Sequence, residues 1–117
     1  MMNLFDTHAH ILDDQFNDDR DQVIRNIYDN MALVVNIGCN LDDCPRTVAL
    51  AEQYDKLYAA VGLHQKKIKT YTPEGWDMIC KLAEHPKVVG IGETGLDYYW
   101  DTTTKDAQKV LFQQHID

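Results

Sequence analysis

Leu33-Val34-Val35-Asn36-Ile37-Gly38 is a nearly continuous apolar run followed by turn residues. A strand with one wet face alternates apolar and polar residues, so a run without alternation predicts a strand buried on both faces. Strands of that kind belong to parallel sheets covered by helices. Upstream, Leu4 to His8 predicts a first short buried strand, leading into a polar loop through Asp13, Asp14 and Gln15. Asn17 is placed to cap a helix, with Asp18 and Asp19 in its first turn, where the helix dipole favours acids. Val23, Ile24, Ile27 and Tyr28 recur at helical spacing and predict its buried face, and Asn30 closes it.

Downstream, Pro45 falls just inside a second helix start behind Asp42 and Asp43, with Cys44, Val48 and Ala51 as the inward stripe. Leu57 to Leu63 predicts a third strand with His64 at its end. Thr72-Pro73-Glu74 supplies a cap, a proline in the first turn and an acid, opening a helix whose apolar face reads Trp76, Ile79, Cys80 and Ala83. His85-Pro86 stops it. Val88 to Glu93 predicts a fourth strand, and a last helix begins near Thr104.

Strand and helix thus alternate four times, in units of roughly 30 residues, as parallel strands joined by right-handed crossovers require. An open doubly wound sheet and a (β/α)8 barrel both use this unit. No G-x-G-x-x-G loop follows the first strand, which weakens the dinucleotide-binding version. His8, His10, His64 and Glu93 all fall at C-terminal strand ends, where barrel enzymes keep their chemistry. The sequence therefore reads as an α/β protein of parallel (β/α) units, the first half of a TIM-type (β/α)8 barrel, in a single domain over residues 1–117.

The apolar content of 44% with 26% charged residues is that of an ordinary globular domain with a modest core. No apolar run approaches the length of a membrane span, and the first residues lack the basic start and apolar region of a secretory signal. Cys39, Cys44 and Cys80 are odd in number and widely spaced, which suits reduced thiols and a cytoplasmic setting. No second cysteine pair follows Cys39 and Cys44 to complete a structural zinc site. The aspartates near Asp13 lack the glycine and glutamate of a calcium loop. A net charge of −8 argues against a protein that coats nucleic acid by neutralising phosphates. It leaves room for a nuclease whose cations supply the positive charge.

Leu4-Phe5-Asp6-Thr7-His8-Ala9-His10 carries the chemistry. Alternate residues of a strand share a face, so Asp6, His8 and His10 are expected on one side, the two imidazoles about 7 Å apart along the strand. Such a pair can converge on one metal ion, with Asp6 as a further ligand or an orienting partner. The other reading is two hydrogen-bonded histidines at a strand end.

Phe5-Asp6-Thr7-His8-Ala9-His10, Val61-Gly62-Leu63-His64 and Gly90-Ile91-Gly92-Glu93-Thr94-Gly95-Leu96-Asp97-Tyr98-Tyr99 come in an order and spacing that resembles the TatD-type metal-dependent deoxyribonucleases, within the wider amidohydrolase-like hydrolases. The resemblance runs the length of the chain. It implies His8, His10 and Glu93 as ligands of one or two divalent ions (Mg, Mn or Zn), with Glu93 bridging when two are bound. His64, Lys66, Asp97 and Tyr98 are expected to line the substrate, and Tyr98, Tyr99 and Trp100 either to stack a base or to pack across the barrel mouth. Gln65 stands where the family usually has proline after the strand-three histidine. His115 stands where glutamine is common, on a helix expected to point it away from the strand ends.

The resemblance implies a hydrolase of phosphodiester bonds in DNA, a deoxyribonuclease. An amide or ester hydrolase of the same architecture and a non-catalytic truncated product are the alternatives. Family ligands on later strands, two histidines and an aspartate, have no counterpart in this sequence, so no catalytic residue is assigned and weak activity or none is expected. Half a barrel would also leave an apolar sheet face bare, which predicts self-association.

Overall fold

The computed structural model describes residues 3–117. Four strands and four helices alternate: β1 (Leu4–Ala9), α1 (Arg20–Asn30), β2 (Met31–Ile37), α2 (Asp43–Gln53), β3 (Leu57–Val61), α3 (Pro73–Ala83), β4 (Val88–Ile91) and α4 (Lys105–Ile116). Short 3-10 segments at Asp14–Phe16 and Gln65–Thr70 follow β1 and β3. The sheet is wholly parallel, in the order β1-β2-β3-β4. All strands therefore end on the same edge, and the four units wind as the first half of a (β/α)8 barrel does.

The central strands are buried as the apolar run predicts. Val34, Leu57, Ala59 and Val61 face the helices, each 1% exposed or less. Val34 and Leu57 pack with Ile11, Ile24 and Ile27, while Ala59 and Val61 pack with Cys44, Val48, Ala51, Ile79 and Leu111. The alternate residues Val35, Ile37 and Ala60 form a separate cluster on the opposite, inner face. Gly38 lets α2 approach the end of β2, because a Cβ there would lie 2.8 Å from Cys44 Sγ.

The structure corrects several sequence expectations. β1 is not a buried strand: Leu4 is 46% and Phe5 64% exposed, because β1 is an edge strand and Phe5 lies in register with Leu33 of the uncovered inner face. α1 begins at Arg20, three residues after the expected Asn17 cap. The cause is local, since the Asp13 carboxylate accepts the Gln15 N–H at 2.9 Å and turns residues 14–16 into a 3-10 segment. Asn17 Oδ1 instead accepts from Arg20 Nη2 at 2.8 Å. Within α1 only Ile24 and Ile27 are buried, and Tyr28 reaches the surface. Cys80 of α3 is exposed rather than inward, and Met78, Ile79 and Leu82 complete the packed face with Trp76 and Ala83. The Thr72 cap forms as expected, its hydroxyl accepting the Gly75 N–H at 3.0 Å. Among the described residues no helix is long and apolar enough to cross a membrane.

Candidate metal centre

His8 is the penultimate residue of β1 and His10 lies one residue past the strand; Glu93 follows β4 by two residues. Their donor atoms all lie within 4.8 Å of one another. His8 Nε2 is 3.5 Å from Glu93 Oε1 and His10 Nε2 is 3.9 Å from Glu93 Oε2. The two imidazoles meet edge to face with centroids 5.1 Å apart. All three side chains keep solvent access, the histidines more than the glutamate.

Backbone features aim each of them. After Asp6 the pairing of β1 with β2 slips, so that Ala9 comes opposite Asn36 and packs outward. This slip breaks the simple alternation and corrects the expectation that Asp6 shares a face with both histidines. Asp6 is outside the converging group; its carboxylate accepts the His8 backbone N–H at 3.0 Å. The chain beyond His10 is tied down by buried Asn36, whose Oδ1 accepts the Ile11 N–H at 2.7 Å. Arg20 clamps the same loop through the carbonyls of Ile11, Leu12 and Asp13. Before Glu93, Gly92 takes a φ of +137°, which only glycine adopts freely.

Cys39, which the motif reading passed over, belongs to this centre. Its Sγ–H donates to Glu93 Oε2 at 3.0 Å, and the Asp43 carboxylate fixes its loop by accepting the N–H groups of Cys39 and Asn40. The thiol's hydrogen bond and the imidazoles of His10, His64 and His8 hold the Glu93 carboxyl below its ordinary range, against a smaller opposing effect of burial. Burial, reinforced by the Glu93 carboxylate, pushes the Cys39 thiol far up. Cys39 is thus a neutral donor that orients a charged glutamate. Its only sequence signal was a position just past the end of a buried strand.

His64 stands on the same rim without entering the donor group. Its N–H donates to the Cys39 carbonyl at 2.8 Å, and its Nδ1 accepts the Lys66 N–H at 3.1 Å, capping the 3-10 segment that begins at Gln65. Lys66 Nζ lies 5.6 Å from the centre of the Trp100 ring. Asp97 Oδ1 accepts the N–H groups of Tyr99 and Trp100, so that this carboxylate oxygen shapes its own loop. Tyr98 sits under Lys105, 5.2 Å from ring centre to Nζ. Tyr99 and Trp100 are exposed.

Two α4 residues, Gln108 and His115, hold the rim. Gln108, 1% exposed, accepts the Asp97 N–H at 2.7 Å and donates to the Asp97 carbonyl at 3.0 Å. His115 does not point away: its Nε2 accepts the Leu63 N–H at 3.0 Å, just beyond β3, and its Nδ1 lies 2.8 Å from the Leu111 carbonyl.

The donor set, two imidazole nitrogens and a carboxylate held low in pKa, suits a borderline or hard divalent ion. Parallel β/α units with such a cluster at the C-terminal strand edge define the class of barrel-type metal hydrolases. The sequence profile of the TatD-related DNases matches residues 5–117, and the chain belongs to that family. It is 40% identical to the uncharacterized metal-dependent hydrolase YabD of Bacillus subtilis, over 97% of this chain and 45% of the relative. It is 29% identical to the 3'-5' ssDNA/RNA exonuclease TatD of Salmonella typhimurium, over 97% of this chain and 44% of that protein. The crystal structure of YJJV, a TatD homologue from Escherichia coli, superposes with a TM-score of 0.79 at 26% identity, covering 97% of this chain and 45% of that one. The chain therefore spans less than half the length of these relatives.

Proposed function

We propose that this chain carries part of the metal centre of a hydrolase that cleaves phosphodiester bonds in DNA, with single-stranded nucleic acid as the substrate class its named relatives suggest. The observation that carries this reading is the convergence of His8, His10 and Glu93 within 4.8 Å at one sheet edge. His8 and His10 would hold a magnesium, manganese or zinc ion through nitrogen, and Glu93 through a carboxylate that serves one ion or is shared by two. Such an ion would supply a bound water of lowered pKa and a positive charge at the phosphoryl oxygen. Cys39 keeps one Glu93 oxygen in place through its hydrogen bond, and Asp6 steadies the His8 backbone. His64, Lys66, Asp97 and Tyr98 would line the approach for the strand, with Lys66 standing beside the Trp100 ring.

Metal binding tests the centre directly. Manganese binding followed by electron paramagnetic resonance should be present in the chain and lost in His8→Ala and His10→Ala. Hydrolysis of a single-stranded oligonucleotide, in a protein carrying all the β/α units, should require metal and vanish in the same variants. Hydrolysis of aryl esters but not of the oligonucleotide would overturn the DNA assignment, and undiminished activity of both variants at saturating metal would overturn the centre. We further propose that the chain by itself associates with a second copy through the inner sheet face, where Phe5, Val89 and Ile91 are each more than half exposed.

A further inference from the structure

The loop after Glu93 presents two large rings to solvent and holds them there. Tyr99 is 82% and Trp100 73% exposed, more than any other large apolar side chain among the described residues. A floppy loop would fold such rings back onto the surface. This one is braced: Asp97 Oδ1 accepts the N–H groups of both residues at 3.0 and 3.1 Å, and buried Gln108 ties Asp97 to α4. Asp101 closes the far side by accepting from Thr103 and Thr104. The rings stand at 89° with centroids 4.8 Å apart, forming a corner.

Two cations stand beside the rings of this loop. Lys66 Nζ lies 5.6 Å from the Trp100 ring centre and Lys105 Nζ 5.2 Å from that of Tyr98. Lys66, Lys67, Lys69, Lys105 and Lys109 make five of the 11 lysines and arginines of the chain, all on the 3-10 segment Gln65–Thr70 and the first half of α4, which pack together. In a chain of net charge −8, this is a local reversal of sign. The ammonium groups beside Trp100 and Tyr98 give these rings a cationic border, which a purely apolar partner would not match. Exposed π-faces flanked by ammonium groups instead match a strand with unstacked bases and a phosphate backbone.

We propose that Tyr99, Trp100 and Lys66 form a base-stacking subsite for single-stranded nucleic acid on the rim beside Glu93. This rests on the nucleic-acid reading above and adds where the strand lies. A base stacks on the Trp100 or Tyr99 ring, and Lys66 with Lys69 takes the adjoining phosphates. Every base has a π-face, so the subsite tolerates sequence, whereas paired duplex bases have their faces covered.

The test is fluorescence anisotropy in EDTA, so that no metal-dependent cleavage intervenes, with a fluorescein-labelled 12-nucleotide oligothymidylate, a fully abasic strand of the same length and a duplex hairpin. The oligothymidylate should bind tightest, and Trp100→Ala or Tyr99→Ala should each weaken it roughly tenfold. Lys66→Gln should lower the slope of log affinity against log salt by about 0.7. In a Trp76→Phe variant, Trp100 is the sole tryptophan and its emission should be quenched by oligothymidylate. Should that variant fail to fold, the anisotropy series decides alone. Equal binding of oligothymidylate by the parent and both ring variants would overturn the subsite while leaving the nucleic-acid reading standing. So would an abasic strand that binds the parent as tightly as oligothymidylate. Failure of every probe to bind would overturn both.

Discussion

Glu93 is the residue on which the centre turns, because it faces both histidines and a thiol at once. Its neighbours differ in what they cost to remove. His8 is about half exposed on an edge strand, so His8→Ala should abolish metal binding while changing stability by no more than about 0.5 kcal/mol. A urea midpoint that falls well beyond this would show that the histidine supports the fold instead. Asn36 behaves oppositely. Its amide is buried near the end of β2 and holds the chain just past His10, so Asn36→Ala leaves the Ile11 N–H unpaired at a cost of about 1–3 kcal/mol. Metal affinity should fall with it, because His10 loses its anchor; an unchanged affinity would disprove that link. His8, His10 and Glu93 were legible from residue type and motif spacing. Asp6 was misread because a register slip is a property of two strands, invisible in either alone. Cys39 was passed over because its partner lies 54 residues away.

The order of elements was legible because strands β2 and β3 are buried on both faces and the helices carry clear apolar stripes. Boundaries were less so: the side chain of Asp13 starts a competing turn, and that turn sets where α1 begins. The docking of α4 was not legible at all, since it depends on polar side chains in an amphipathic helix reaching distant backbone. Gln108→Ala should therefore loosen residues 97–101 and destabilise the chain by about 1–3 kcal/mol, seen as faster hydrogen exchange at the Asp97 amide. Exchange as slow as in the parent would mean the loop is braced from elsewhere. His115 gives α4 a pH dependence. Burial holds its pKa below the ordinary 6.5, partly opposed by the Leu111 carbonyl, and its Nε2 must stay unprotonated to accept from Leu63. A histidine depressed on folding binds fewer protons folded than unfolded, so its contribution is present above about pH 6.5 and is lost as pH falls through the folded value. His115→Gln keeps an acceptor without the titration. The melting temperature of the parent should drop more between pH 7.5 and 5.5 than that of the variant, and equal drops would count against the assignment.

At the scale of the whole molecule, the sheet is two-sided in composition and one-sided in packing. Its outer face is covered by helices and contains nearly all of the core. Its inner face carries Val35, Ile37 and Ala60 at the centre, with Phe5 at one edge strand and Val89 and Ile91 at the other, each more than half exposed. Val35, Ile37, Ala60, Val89 and Ile91 line an open hollow of about 440 Å³ that runs from Val89 up to His8 and Glu93. Among the described residues β1 and β4 also offer unpaired edges. An apolar face bordered by two free strand edges could take another sheet, and a second copy of the chain would present a like one. A two-fold pairing would bury both inner faces and set two copies of His8, His10 and Glu93 at one mouth. Multi-angle light scattering should report a dimer or larger species at micromolar concentration. Val89→Lys and Phe5→Lys place a charge on that face without touching the outer core, and both should shift the chain toward monomer while retaining its circular dichroism. A parent chain that stays monomeric over the whole concentration range, or a Val89→Lys variant that associates as strongly as the parent, would refute the pairing.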